Sequence, residues 1–302
     1  MINKERLGTG SYGQVYLAVD RQDPNLKVAI KVINKQKLSK EDIAAIMDEV
    51  QILLTVDHPN IVAYHETYDD HNYIYLVMEH LPGGELFDSP QIFKKEGTSY
   101  TEGDAAGVIS KLLEALHHCH SLGIVHRDIK PENIMFGADG EVRIVDFGLA
   151  KESVAKMSTF AGTPYFMAPE VLNHNYGQKC DVWSLGCVLY MLVAGKLPFS
   201  GRSKDEVFNR IKNSLYEEPM HVSAHCRDLL KKMLTVDPVK RLTAAEARQH
   251  PWFAMDKKAQ DVPIPESIMV NVRGFQGRSR LKRAALNILV KMINPAEFVA
   301  LR

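Results

Sequence analysis

The amino-acid sequence predicts an α+β protein of two lobes, a small β-rich N-terminal lobe carrying one main helix and a larger helical C-terminal lobe. Three observations predict it. Short β-branched runs dominate the chain as far as Glu79, Leu81-Pro82-Gly83-Gly84 then breaks the pattern, and beyond it the apolar period lengthens to that of helices. At 302 residues the chain suits two units, given a loose prior of about 150 residues each.

In the N-terminal lobe, residues 1–79, strands are expected over Val15–Val19, Val28–Val32, Ile61–Tyr68 and Tyr73–Met78, with a helix near Glu41–Thr55. That combination reads as a small antiparallel sheet carrying one helix. Pro82-Gly83-Gly84 marks the lobe boundary as a hinge. In the C-terminal lobe, residues 80–253, the clearest helices by period are Glu102–Ser121 and Val182–Ala194, and the lobe closes at Pro251-Trp252-Phe253. Residues 254–302 read as a linker followed by a basic amphipathic helix. Asp256–Pro265 is polar with two prolines, a connector rather than core. Leu281, Ala284, Ala285, Ile288, Leu289 and Met292 then form one apolar stripe, flanked by Arg273, Arg278, Arg280, Lys282, Arg283 and Lys291.

Composition excludes several classes. Lys plus Arg equals Asp plus Glu at 37 each, so no overall field favours nucleic acid. The apolar and charged fractions, 45% and 25%, are those of an ordinary globular chain. Cys119, Cys180, Cys187 and Cys226 form no CxxC pair and have no His at zinc-ligand spacing, which points to reduced thiols in a reducing compartment. Met1–Arg6 lacks an apolar signal core, no run of 18 apolar residues occurs, and Ile2 stands where N-myristoylation needs Gly. A soluble, cytoplasmic monomer without a transmembrane segment is expected.

The most informative stretch is His126-Arg127-Asp128-Ile129-Lys130-Pro131-Glu132-Asn133, followed after a short hydrophobic hairpin by Asp146-Phe147-Gly148. Phosphoryl transfer asks little covalent chemistry of a protein. It requires a hydroxyl to be oriented, magnesium to be held and phosphate charge to be neutralised. Asp128 can accept the hydroxyl proton, Lys130 can neutralise the transferred group, and Asn133 with Asp146 offers the hard oxygens that Mg²⁺ prefers. Arg127 is left for another task. The plain alternative is a polar turn with satisfied side chains, but the length of the string and its spacing to Asp146 argue against it.

Gly8-Thr9-Gly10-Ser11-Tyr12-Gly13-Gln14-Val15 is a glycine loop in which backbone N–H groups can approach phosphates. The same letters open dinucleotide-binding folds. Here a β-run follows instead of a helix, and no acidic residue ends a second strand, which disfavours a dinucleotide. Strand alternation in Val28-Ala29-Ile30-Lys31 turns Ala29 and Lys31 to one face, Ala29 toward an adenine and Lys31 toward the α- and β-phosphates. The helix of Glu41–Thr55 offers Asp48 and Glu49 as counter-ions for Lys31. Glu49 is preferred because Val50, Leu53 and Leu54 set the buried face beside it.

Glycine loop, VAIK, HRDIKPEN, DFG and Ala168-Pro169-Glu170, with Asp181-Val182-Trp183-Ser184-Leu185-Gly186 and Arg241, stand in the order and spacing of eukaryotic protein kinases. The resemblance covers about residues 6–253. It implies a bilobal kinase fold, ATP and Mg²⁺ between the lobes, and transfer of the γ-phosphoryl to a protein hydroxyl. By that similarity Met78 is the gatekeeper, Glu79 to Leu81 the hinge that hydrogen-bonds adenine, and Glu85 a ribose contact, while Leu7, Val15 and Met135 line the adenine pocket. Lys130 after Asp128, and Gly162-Thr163-Pro164-Tyr165 before the Ala-Pro-Glu string, resemble the serine/threonine class. Glu85 and Glu132 are acids at the edge of the site; in related basophilic kinases such positions face arginines, implying a preference for Arg or Lys two to three residues before the target. Thr159, with Ser158 beside it, is an expected phosphorylation site that Arg127 would engage.

Residues 265–289, including Arg278-Ser279-Arg280-Leu281-Lys282-Arg283-Ala284-Ala285-Leu286, resemble the junction of calcium-dependent protein kinases. In that family the junction links the kinase to EF-hands and restrains it until calcium binds. A basic amphipathic helix fits both jobs, its cations facing Glu85 and Glu132 and its stripe suiting an EF-hand groove. Membrane contact and packing on a domain are alternatives for such a helix. No D-x-[DN]-x-[DN]-G loop occurs, so this chain should not bind calcium by itself. The expectation is a truncated relative, or an EF-hand or calmodulin-like sensor acting in trans on residues 274–293. Ser89–Ser99 is a few residues longer than usual in the family. The rival readings are a non-catalytic pseudokinase scaffold and a calmodulin-regulated kinase outside the calcium-dependent family.

Overall fold

The computed structural model describes residues 2–9, 13–92, 100–147, 165–173, 177–255, 263–272 and 274. Five antiparallel strands form the N-terminal sheet: β1 (Ile2–Thr9), β2 (Gly13–Val19), β3 (Lys27–Asn34), β4 (Tyr64–Asp69) and β5 (Tyr73–Glu79), in the spatial order β1-β2-β3-β5-β4. The central strand β3 alternates as its sequence demands, with Ala29, Lys31 and Ile33 buried. Helix α1 (Lys40–Leu53) adds Ile46, Val50 and Leu53 to the same core as Ile33, Ile74 and Leu76.

Two strand readings differ from the sequence expectation. β1 (Ile2–Thr9) lies ahead of the first expected strand, and β4 begins at Tyr64 instead of Ile61. Ile61 and Val62 belong to the lobe junction. Ile61 bridges Ile144 in parallel, the Val62 N–H donates to the Ile144 carbonyl at 3.0 Å, and the Ile144 N–H donates to the Asn60 carbonyl at 2.9 Å. Both side chains are buried there, so their apolar character reports a junction and not an extension of the sheet.

The C-terminal lobe is built on α2 (Glu102–Ser121), opened by a capping box between Thr101 and Asp104, and on α3 (Lys179–Ala194). Every α3 residue from Cys180 to Ala194 is buried, which accounts for its weak polar face. Between them lies a hairpin of β6 (Ile134–Phe136) and β7 (Val142–Ile144). Three short helices, α4 (Lys204–Lys212), α5 (Ala224–Met233) and α6 (Ala244–Arg248), are each N-capped by a hydroxyl, from Ser203, Ser223 and Thr243. They are too short for apolar period to disclose. The buried Glu102 carboxylate accepts from Ser223 N at 2.9 Å and from Trp252 Nε1 at 2.6 Å, joining the start of α2 to the end of the lobe. Arg241, fully buried, makes a two-pronged pair with Glu170 at 2.6 and 2.8 Å. All four cysteines are free and buried, and burial pushes Cys119 up to about 12. Among the described residues no helix is long and apolar enough to cross a membrane.

The connector reading of Asp256–Pro265 fails at its C-terminal end. Pro263 bridges Thr101, the Ile264 N–H donates to the Tyr100 carbonyl at 2.8 Å, and Ile264 is buried. A helical stretch over 266–272 follows, burying Val272. Gly195 ends α3 at φ 67°, and a Cβ there would lie 2.6 Å from the Ile268 carbonyl oxygen, so only Gly lets the strap lie so close. Two prolines made this segment look like a spacer, whereas its single isoleucine anchors it.

Candidate active site

The floor of the interlobe cleft comes from a hinge laid beside the β6–β7 hairpin. Gly83 N donates to the Phe136 carbonyl at 2.9 Å, Phe136 N to Gly84 at 3.0 Å and Leu86 N to Ile134 at 2.7 Å, while Glu85 bridges Met135. The roof is the β2-β3-β5 face. Register sets Leu17, Ala29 and Met78 in one row and Val15, Lys31 and Leu76 in the next, so Ala29, Met78, Lys31 and Val15 share that face. Met78 is buried and Leu7 is exposed. Gly8 and Gly13 flank residues 10–12, which lie outside the described residues along with the side chain of Thr9.

Lys31 is buried at 4% exposure and pairs with Asp146 from across the cleft. Burial works to raise the Asp146 pKa, but the Lys31 charge and hydrogen bond, helped by His126 and Lys130, hold it below the usual carboxylate range. The side chain of Glu49, the expected partner of Lys31, lies outside the described residues, as do Gly148, Ser158, Thr159 and Gly162 to Pro164.

The loop after α2 gathers the remaining groups. Lys130 Nζ donates to Asp128 Oδ2 at 2.6 Å, and Asn133 Nδ2 donates to Asp128 Oδ2 at 2.9 Å and to its backbone oxygen at 2.8 Å. The Val145 N–H donates to the Asn133 carbonyl at 2.9 Å, so Asn133 is fixed next to the strand that leads to Asp146. Arg127 and Asp146 adopt left-handed φ values, 67° and 57°, at a cost of about 1–2 kcal/mol each. Such backbone needs external support.

That support is Asp181 on α3. Its carboxylate accepts the His126 N–H at 2.9 Å, the Arg127 N–H at 2.8 Å and the His120 ring at 2.9 Å. Burial drives the Asp181 pKa up, yet the His120 hydrogen bond and charge and the His126 contacts bring the net direction below normal. His126 is itself buried, its Nε2 against the Val145 carbonyl at 3.0 Å and its ring 4.6 Å from Phe147. The sequence marks Asp181 only as the start of the Asp181–Gly186 string and does not mark His120; an acid opening an otherwise apolar helix is the signal it carries.

The family model for the protein kinase domain matches residues 1–253. The chain belongs to the protein kinase family. Over 312 residues the chain is 38% identical to calcium-dependent protein kinase 29 of Arabidopsis thaliana, across 100% of the chain and 57% of that relative. It is 36% identical to calcium-dependent protein kinase 3 of Plasmodium berghei, across 100% of the chain and 55% of the relative. The kinase chain thus spans little more than half the length of these curated relatives. The crystal structure of Rad53 1-466 in complex with AMP-PNP is similar at TM-score 0.71 and 35% identity, over 83% of this chain and 64% of that one.

The kinase's Asp181 yields a pH test. Its folded pKa is depressed, so its contribution is present above the ordinary value of 3.8 and is lost as pH falls through the folded value. Asp181→Asn should lower stability at pH 7 by about 3 kcal/mol, the scale of hydrogen bonds to a charged acceptor. In thermal unfolding the gap to the parent chain should narrow below pH 4; a constant gap would show that the charge is not the cause.

Proposed function

We propose that this chain is the catalytic part of an ATP-dependent protein kinase that transfers the γ-phosphoryl group to Ser or Thr hydroxyls. The observation that carries the reading is the Asp128 carboxylate, clamped by Lys130 and Asn133 at 2.6 and 2.9 Å on a loop that ends beside the Lys31–Asp146 pair. Asp128 accepts the proton of the incoming hydroxyl. Lys130, already in contact with that carboxylate, neutralises charge on the group in transfer. Lys31 holds the non-transferred phosphates beneath the glycine loop, and Ala29, Met78, Val15, Leu7 and Met135 enclose the base above Glu79 to Leu81. The complex of the similar Rad53 structure with AMP-PNP supports a nucleotide in this cleft.

The donor set fits magnesium. Asn133 spends its amide nitrogen on Asp128, which leaves Oδ1 as an acceptor, and Asp146 is held ionised by Lys31. Asn133 and Asp146 would hold the ion, whose charge would offset that of the phosphate oxygens. With ATP and a basic peptide, Asp128→Asn should reduce turnover at least about 10³-fold, scaled on the loss of a positioned base. Equal turnover would remove Asp128 from its role, and no turnover in either protein would leave the scaffold reading.

Basic substrates are supported by Glu132, whose Oε2 is buried without a hydrogen-bond partner among the described residues. A buried carboxylate oxygen left so is costly, and a substrate guanidinium would satisfy it. Glu85 lies on the adjoining hinge strand, bridged to Met135. Glu132→Gln should raise KM about tenfold for a peptide with Arg two or three residues before the target, on the scale of a lost charged contact. A peptide lacking that Arg should barely respond; an equal rise for both would sink basophilic selection.

The similarity to calcium-dependent protein kinases supports restraint by the basic residues after Gly274, relieved by an EF-hand sensor that engages residues 274–293. Because 263–272 packs on the C-terminal lobe, a truncation that tests this restraint ends at Gly274. It should be more active than the full chain, and calcium with calmodulin should activate only the full chain. Truncation at residue 262 also removes buried Ile264 and Val272 and should lower the melting temperature.

A further inference from the structure

At the hinge, a cation of the C-terminal lobe pairs with the end of the N-terminal sheet. Arg143 on β7 donates from Nε to Glu79 Oε2 at 3.0 Å, from Nη2 to Asp139 Oδ2 at 2.7 Å and from Nη1 to the Glu141 carbonyl at 3.2 Å. Glu79 is the last residue of β5 and the first of the hinge. Asp139 and Glu141 lie in the turn between β6 and β7, where Asp139 Oδ1 also accepts the Glu141 N–H at 2.9 Å. One guanidinium therefore binds the end of the N-terminal sheet and the hairpin of the C-terminal lobe at once.

Three features separate this contact from an ordinary surface ion pair, which is worth little. The Arg143 side chain is 12% exposed, so most of its stem is out of water. Its fork is filled on three sides, a preorganised geometry that Lys could not copy. The hairpin keeps room for it as well: a Cβ on Gly137 would stand 2.5 Å from Asp139 Oδ1 and 3.4 Å from Arg143 Cζ, although Gly137 has an ordinary negative-φ backbone. The nearby acid Glu141 is engaged by Lys111, leaving Glu79 and Asp139 as the carboxylates that face Arg143.

Register gives the contact its consequence. Arg143 sits directly opposite Met135 in the hairpin, and Met135 bridges Glu85 just past the hinge. We propose that Arg143 is a positioning residue for the nucleotide: it holds hinge residue Glu79 at a fixed height above the Met135 floor and so sets the slot into which the base enters. This rests on the kinase reading. Among the described residues Arg143 has no hydrogen bond or ion pair with the catalytic loop, Lys31 or Asp146, so its effect falls on nucleotide affinity and not on the transfer step.

The test is a double-mutant cycle on Arg143→Met, which keeps the apolar stem, and Glu79→Gln, which keeps the shape of a side chain already 27% exposed. KM for ATP should rise about three- to tenfold in each single variant and no further in the double. The kcat of Arg143→Met should move less than about twofold, and Arg143→Lys should fall between it and the parent. Additive effects, or parallel losses in kcat and KM, would overturn the proposal in favour of general loosening. Titration with a fluorescent ATP analogue separates it from the kinase reading: binding that weakens in the variants without turnover in the parent would refute kinase activity and keep the tether. No binding by the parent would refute both. Should Arg143→Met fail to fold, Glu79→Gln alone decides, unchanged nucleotide affinity overturning the proposal.

Discussion

A single buried carboxylate, that of Asp181, carries the arrangement on which the site depends. The loop from His126 to Asn133 must place an acid, a cation and an amide within a few ångströms, and it does so only by taking Arg127 into left-handed backbone. Asn133 ties the Asp128 carbonyl from within the loop, and Asp181 supplies the outside support by accepting two consecutive backbone N–H groups and a histidine ring from the buried first turn of α3. The rigid apolar helix is thus a reference frame and the loop hangs from it.

From that frame the charges of the cleft are distributed as pairs. Lys130 lies on Asp128, Lys31 on Asp146, and Arg143 between Glu79 and Asp139. The Lys31 and Arg143 pairs join segments distant in sequence, and Lys31 with Lys130 helps to hold Asp146 ionised. Glu132 departs from this scheme. Its buried oxygen has no partner among the described residues, which is why the proposed charge selection of substrates centres on it.

Much of this was legible beforehand where local physics dominates. Strand β3 declared its inward face through alternation and α2 through period, while residue type and spacing marked out Asp128, Lys130, Asn133 and Asp146, which the fold gathers at the cleft. Legibility failed where a residue's role is set by something far along the chain. Ile61 reads as strand and serves the lobe junction; Ile264 sits among prolines and anchors a strap; Arg143 carries no motif and pairs with hinge residue Glu79.

By itself the sequence determined the two-lobed α+β architecture and the family, and it marked the residues proposed to react, because periodicity, turn residues and side-chain chemistry are local properties. Only the tertiary structure decided which charges meet. Lys31 and Asp146 are separated by more than a hundred residues, and Asp181 reaches back over fifty to His126 and Arg127. Ion pairs and buried hydrogen bonds depend on distance and desolvation, and folding alone sets those.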